Sequence, residues 1–388
     1  MIRCLLILWV YSPALATFHG AYTALYRKKL CMNKNSCDIS NMHQRYRKFL
    51  LIICILVVSG IHIYAMKKSE PKAADIYTVN GYLAKTINIA FTFDAPKEGA
   101  WGHTLQTADF TLIKDAGFTA VRLPITWVAR MDTVAPYTID PKFLARIDWA
   151  ISEALKNHLA IVLDNHIDDQ FKKEPARYRD RFLSLWKQLS IHYQGQPQQV
   201  MFEVMAEPHG GLDLVWNDYF QDALAIIRKT NPTRAVVVGP AFYNSVLKLN
   251  DLHLPADDHL ILTVHYYDPI QFTMQGEDWF PVGKPREWIG TKWTGTEQEK
   301  IAISRAMDIV ADWAKKNNCP VFIGEFGVGD HADTLSKALY FGCIRQQAEQ
   351  RAFSWGVFNF AVKFSLYDQT TKTWDQPLLK ALIPSAGK

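Results

Sequence analysis

"VMFEVMAEPHG", residues 200–210, is an apolar run that carries two carboxylates, Glu203 and Glu207. Its first six residues have the composition of a buried strand, and Glu207-Pro208-His209-Gly210 closes it. Similar short β-branched or apolar runs stand at 86–91, 120–123, 160–163, 235–238, 260–264, 321–323 and 353–358, so that eight are present. Helical periods lie between them. In "DPKFLARIDWAISEALKN", Asp140 is an N-cap, Pro141 takes the first helical position, and Leu144, Ile147, Ile151, Ala154 and Leu155 share one face. "TEQEKIAISRAMDIVADWAKKN" opens with a capping box of Thr296 and Glu299, and its inner face is read as Ala302, Ala306, Ile309, Val310 and Trp313. Further helices are expected at 107–116, 175–193, 212–230, 333–350 and 377–382. Strands that alternate with helices of this length predict a parallel sheet. Eight of them in some 300 residues predict one closed (β/α)8 barrel. A doubly wound open sheet is the competitor, and no Gly-rich phosphate loop follows the first strand to support it.

Charge and cysteine separate a leader from this body. The formal net charge is +5, but residues 1–65 hold eight Lys or Arg and one acid, leaving −2 for the rest. The body has no basic run of the kind that binds nucleic acid. Four of the six cysteines lie in the leader, so Cys319 and Cys343 are no disulfide framework. From Met42, Arg45, Arg47 and Lys48 precede a ten-residue apolar core at 49–58. That length fits a secretory signal better than the ~20 residues of a membrane span. Ala65 is small, but Ile63 stands two places before it, which spoils the cleavage pattern. The expected organisation is therefore an over-extended N-terminus at 1–41, a signal peptide or signal anchor at 42–65, a short linker at 66–79 and a single catalytic domain at 80–388. Export is expected, to the outside or the periplasm, with residues 49–65 as a membrane tether if they stay uncleaved, and the protein is expected to be a monomer.

In a barrel of this kind, chemistry gathers at the C-terminal ends of the strands. The polar residues there are Arg122 with Trp127; Asp164, Asn165 and His166; Glu207 and His209; His265, Tyr266, Tyr267 and Asp268; Glu325; and Asn359. No Ser or Cys sits as a nucleophile elbow, and no HExxH or CxxC follows residue 80. A metal held by His166, His265 and a glutamate has no support in the spacing. Two glutamates at the ends of strands four and seven suggest paired-carboxylate chemistry, in which one carboxyl is kept protonated and the other ionised. Arg122 would hold one as an anion, and apolar surroundings would keep the other protonated. Pro208 restricts Glu207 to extended backbone, which would aim the acid. For Glu203 a structural ion pair is the plain reading, because buried charges need partners. Trp101, Trp127, Trp279, Trp288 and Trp293 are candidate sugar platforms or core filler.

From about residue 80 onward the chain resembles glycoside hydrolase family 5, the cellulase-type family of (β/α)8 barrels. "INIAFTFDAPKEGAWG" looks like the family's entry motif and "DFTLIKDAGFTAVRLPITW" like its second-strand signature. "VMFEVMAEPHG" resembles the Asn-Glu-Pro motif, "LTVHYYDP" the His-x-Tyr motif, "VFIGEFGV" the nucleophile motif and "FSLYD" the last-strand ending. The resemblance implies retaining hydrolysis of a β-linked polysaccharide or oligosaccharide, without metal or cofactor. It implies Glu207 as acid/base and Glu325 as nucleophile, Arg122 and Tyr267 holding Glu325, His265 beside the pair and His166 lining the sugar site. Two positions depart from it. Ala206 stands where the family has an asparagine that bonds the sugar 2-hydroxyl, and Phe358 where it commonly has a stacking tryptophan; Asn165 or Asn359 are candidates to supply the lost amide. An endo-β-1,4-glucanase is the leading expectation. A mannanase, a β-1,3-glucanase, an exo-glucosidase and a catalytically impaired glycan-binding barrel are the alternatives. Mass mapping of the native protein tests the leader: it should yield no peptide from residues 10–40, and finding one would refute a start at Met42.

Overall fold

The computed structural model describes residues 74–384. The assignments at 1–41 and 42–65, and the linker up to 73, lie outside the described residues. Eight strands form one closed parallel barrel in sequence order: β1 (Lys85–Asn88), β2 (Ala120–Ile125), β3 (Ala160–Asn165), β4 (Val200–Glu203), β5 (Val236–Val238), β6 (Leu260–His265), β7 (Val321–Phe326) and β8 (Ser354–Val357). β8 pairs with β1, Lys85 opposite Trp355. The expected barrel is what forms.

The strands are buried on both faces, as parallel strands under helices must be. Side chains alternate between the helix layer and the barrel interior. The interior has its own small apolar cluster of Ala120, Ala160, Val162, Met201, Val237, Ile261 and Phe322. One pleat further along the same strands the residues become charged or polar: Arg122 follows Ala120, Asp164 follows Val162, and Glu203 follows Met201. The interior is thus greasy at its base and ionic at its mouth. That gradient answers why β4 carries a carboxylate.

Helix α1 (Ile76–Gly81) closes the base. Asp75 caps it by accepting from Tyr77 and Thr78 N–H, and Val79 and Leu83 join the inner cluster. Asn80 donates to the Val321 carbonyl at 3.0 Å and its own carbonyl accepts from Ser354 at 2.7 Å. The barrel body therefore starts a few residues before position 80, because the base needs an apolar plug. Around the barrel run α2 (Thr107–Asp115), α3 (Pro141–Lys156), α4 (Asp169–Lys173), α5 (Pro175–His192), α6 (Trp216–Arg228), α7 (Glu297–Lys316) and α8 (Thr334–Gln350), and α9 (Gln376–Leu382) follows β8. The Asp140 cap and the Thr296–Glu299 capping box form as expected.

The inner face of α7 differs from the expected one. Its buried residues are Ile303, Met307, Val310, Trp313 and Ala314. Ala302 is exposed and Ile309 is 48% exposed. The stripe that fits 3.6 residues per turn runs one step round the helix from Ala302 and Ile309. Cys319 and Cys343 are both buried free thiols. No helix among the described residues is long and apolar enough to cross a membrane. The phase of α7 can be checked by urea unfolding. Met307→Ala should lower stability by about 2–5 kcal/mol, and Ile309→Ala by less than about 0.5 kcal/mol; equal losses would contradict the assigned face.

Candidate active site

Arg122 lies on the interior face of β2 and is fully buried. A guanidinium has five N–H donors, and here four of them make hydrogen bonds. Nε donates to Glu203 Oε2 at 2.6 Å and Nη2 to Glu203 Oε1 at 2.9 Å, a bidentate pair. Nη2 also meets Asp164 Oδ2 at 3.0 Å. Nη1 donates to Asn88 Oδ1 at 2.8 Å and to Glu325 Oε1 at 2.6 Å. Glu203 is thus the structural ion-pair partner that its burial called for. Asn88 in turn donates to the carbonyls of Gly324 and Val357, at 3.0 and 3.1 Å.

Glu325 reaches this ring through a register shift. Val264 pairs with Ile323 but His265 pairs with Glu325, so Gly324 is an extra residue in β7. A Cβ on Gly324 would come 2.5 Å from Thr263 Oγ1 and 3.1 Å from His265 Nε2, so glycine is required there. Tyr267 donates from its hydroxyl to Glu325 Oε2 at 3.0 Å, and His265 Nδ1 lies 3.6 Å from the same oxygen. Burial pushes the Glu325 carboxyl up. The charges of His265, Arg122 and His166 and the Tyr267 hydrogen bond outweigh that and hold it at about 2. A folded carboxyl below its ordinary 4.5 contributes stability that is present above that pH and lost as pH falls toward 2. Burial and the Glu325 charge push the Tyr267 phenol up, so it remains a donor.

Glu207 arrives from the loop after β4. The Glu-Pro step predicts extended backbone, but Glu207 has φ 48°, in the left-handed region. The strand has already ended at Glu203, and this turn is what brings the side chain back over the barrel mouth. Its surroundings are polar rather than the apolar ones expected. His265 Nδ1 lies 2.8 Å from Glu207 Oε1, and the Glu207 side chain is 30% exposed. Single ligand atoms of Glu207, His265 and Glu325 all lie within 4.8 Å of one another. The same three atoms are a donor set that a cation could use, in competition with Arg122 and Tyr267 for Glu325.

His265 is oriented from behind by Asn244, whose Nδ2 lies 3.2 Å from His265 Nε2. A donating amide there makes Nε2 the acceptor and leaves the proton on Nδ1, facing Glu207. Burial disfavours the imidazolium, but Glu325 and Glu207 together raise its pKa. When the ring does charge, the otherwise unpaired Asn244 Oδ1 can turn to accept from it. Asn244 ends three consecutive left-handed residues, Phe242, Tyr243 and Asn244, with φ 55°, 64° and 55°. Non-glycine residues there are held at a cost of order 1–3 kcal/mol each. Tyr243 N–H donates to the Pro208 carbonyl at 3.2 Å, and its ring stacks on His209 at 4.0 Å, which ties this turn to the acid loop.

The other expected residues divide. His166 is half-buried beside the cluster, with Nδ1 2.7 Å from Asp164 Oδ2. Asn165 is not brought to the mouth. It points out of the barrel, with Nδ2 directed at the Val204 carbonyl and Met205 Sδ, because alternation turns it away when Asp164 faces in. Asn359 is also engaged, accepting from Ala90 N–H and donating to the Ala361 carbonyl. Neither amide replaces one at Ala206. Phe358 is half-buried between Phe91 and Phe364, with centroids 5.9 and 5.8 Å away. Trp101 packs on Phe91 and Trp279 on Phe364, so an aromatic arc borders the mouth with tryptophans exposed at both ends. Trp127 and Trp293 are core. Asn88 and Asn244 had no signal in the sequence; each is defined by partners on distant strands.

A closed parallel barrel whose two facing carboxyls meet at the ends of β4 and β7 is a paired-carboxylate α/β barrel. The family described as cellulase (glycosyl hydrolase family 5) matches residues 83–363. Endoglucanase H of Acetivibrio thermocellus is 34% identical over 322 residues, 81% of this chain and 34% of that protein. The crystal structure of endoglucanase Cel5A from the hyperthermophilic Thermotoga maritima matches with TM-score 0.78 at 36% identity, over 80% of this chain and 100% of that one. Cellulose synthase subunit Z (CcsZ) from Clostridioides difficile matches with TM-score 0.74 at 35% identity, over 77% of this chain and 98% of that one. The chain belongs to glycosyl hydrolase family 5. It spans about a third of the length of the Acetivibrio relative.

The electrostatics of Glu325 can be read from a pH profile. Tyr267→Phe removes one donor to the anion, so its pKa should rise from about 2. The acid limb of kcat/KM should move to higher pH and kcat should fall roughly 10–100-fold. An acid limb that stays in place would show that Tyr267 does not hold this carboxylate.

Proposed function

We propose that this chain is a retaining endo-β-1,4-glucanase. The observation that carries the reading is the approach of Glu207 and Glu325, which with His265 offer atoms within 4.8 Å of one another. Retaining glycosidases keep their two carboxyls about 5–5.5 Å apart, and inverting enzymes separate them further to admit a water. Glu325, held ionised, attacks the anomeric carbon while Glu207 gives its proton to the leaving oxygen. The glycosidic bond breaks as the bond to the Glu325 oxygen forms. Glu207 then takes a proton from water, the water oxygen attacks the same carbon, and Glu325 leaves as a carboxylate. His265 bridges the two carboxyls and Tyr267 steadies the nucleophile. The aromatic arc from Trp101 to Trp279 supports a β-glycan substrate, because sugar rings stack on aromatic faces. The same proposal includes Arg122 holding Glu325, roles for His166 and Phe358 around the sugar, and export through residues 42–65 as signal peptide or anchor.

The test is release of reducing ends from carboxymethyl-cellulose, β-mannan and laminarin by the wild type and Glu325→Ala, with the product anomer followed by NMR. Release from carboxymethyl-cellulose with retained configuration, lost in the mutant, is expected. Preference for mannan or laminarin would overturn the glucan assignment alone. A wild type no faster than the mutant on every glycan, yet binding one, would make this a glycan-binding barrel.

A further inference from the structure

A retaining site needs a donor to the 2-oxygen of the reacting sugar, because that hydrogen bond strengthens in the transition state. Most donors around the carboxyl pair are already engaged. Arg122 makes four hydrogen bonds and an ion pair with Asp164, the Tyr267 hydroxyl is on Glu325, and His265 is held at both nitrogens. The amides of Asn88, Asn165 and Asn359 point to main-chain carbonyls. Ala206, next to the acid, offers only a methyl group.

Lys172 is different. It comes from α4, is only 6% exposed, and its Nζ donates to the His166 carbonyl at 3.1 Å. An ammonium has three donors, so two remain without an acceptor, and Lys172 makes no ion pair among the described residues. A buried cation left this way is costly unless something completes its bonding. Its place is informative. The Asn165 carbonyl, one residue before the one Lys172 holds, accepts from Ala206 N–H at 3.0 Å. The Lys172 nitrogen therefore lies one carbonyl beyond the hydrogen bond that joins the end of β3 to Ala206 N–H. The backbone is fitted closely here: a Cβ on Gly211 would come 2.6 Å from the Lys173 carbonyl and 3.0 Å from that of Lys172. Burial lowers the ammonium's pKa, and Glu207 heads the carboxylates that oppose this.

We propose that Lys172 binds the 2-oxygen of the sugar in the cleavage site, supplying from α4 the donor that Ala206 lacks. The inference rests on the retaining-hydrolase reading. It makes the site dependent on a residue outside the strand ends. The rival donor is His166, whose Nδ1 is on Asp164.

The experiment uses an aryl β-cellobioside and its analogue lacking the 2-hydroxyl on the reacting ring. Each protein is assayed on both, so the ratio of the two rates does not depend on the folded fraction. In Lys172→Met the 2-hydroxy over 2-deoxy ratio should fall roughly 10²-fold relative to wild type, the usual effect of removing one transition-state donor. Lys172→Gln, which keeps a donor, should lose less. Ala206→Asn in the Lys172→Met background should recover part of the ratio. A wild-type ratio in Lys172→Met, or a collapse in His166→Ala alone, would overturn the assignment while leaving the hydrolase reading intact. A wild type that cannot cleave the 2-hydroxy substrate would overturn both.

Discussion

One guanidinium holds the mouth of this barrel together. Arg122 joins side chains from β1, β3, β4 and β7 through four hydrogen bonds and an ion pair with Asp164. Isolated burial of such an ion would be prohibitive. The bidentate pair with Glu203 and the contacts to Asp164 and Glu325 offset it, though buried ion pairs often do little more than break even. The gain here is positional. An arginine bonded to four strands at once has one orientation, so the Glu325 carboxylate it touches has one orientation too. In the proposed mechanism this pre-organises negative charge where a developing oxocarbenium needs it.

The two carboxylates are positioned by opposite devices. Glu325 belongs to a strand, 5% exposed in its side chain, pinned by Arg122 and Tyr267 and delivered by a bulge at Gly324. Glu207 belongs to a loop, open to solvent on one side and held by His265. One environment keeps an anion. The other leaves a carboxyl that solvent reaches. The strained turn at Phe242–Asn244 matters because it fixes the back of His265 and lies against the acid loop. Strain stored next to reacting groups is tolerated when surrounding contacts over-determine it.

The barrel was legible because its signal is local and repeated. Apolar runs of three to six residues, separated by amphipathic helices with readable caps, leave few topologies. The strand-end rule then pointed to Arg122, His166, Glu207, His265, Tyr267 and Glu325, which the fold gathers at one mouth. Asn165 failed because neighbouring strand residues face opposite ways, and sequence did not say which of Asp164 and Asn165 faces in. The α7 face failed by one position because two apolar stripes on that helix differ little in quality. The start of the body was placed late because α1 is short and its plug role depends on a barrel floor far away in sequence.

The sequence by itself determined the parallel barrel and the pair of glutamates, since period, capping and the ends of strands are written in neighbouring residues. Only the tertiary structure decided how the two acids differ, which amides are already engaged, and that Asn244 and Lys172 stand behind them. Those facts depend on through-space distances between strands and loops brought together by closure of the sheet, and no local pattern of residues encodes them.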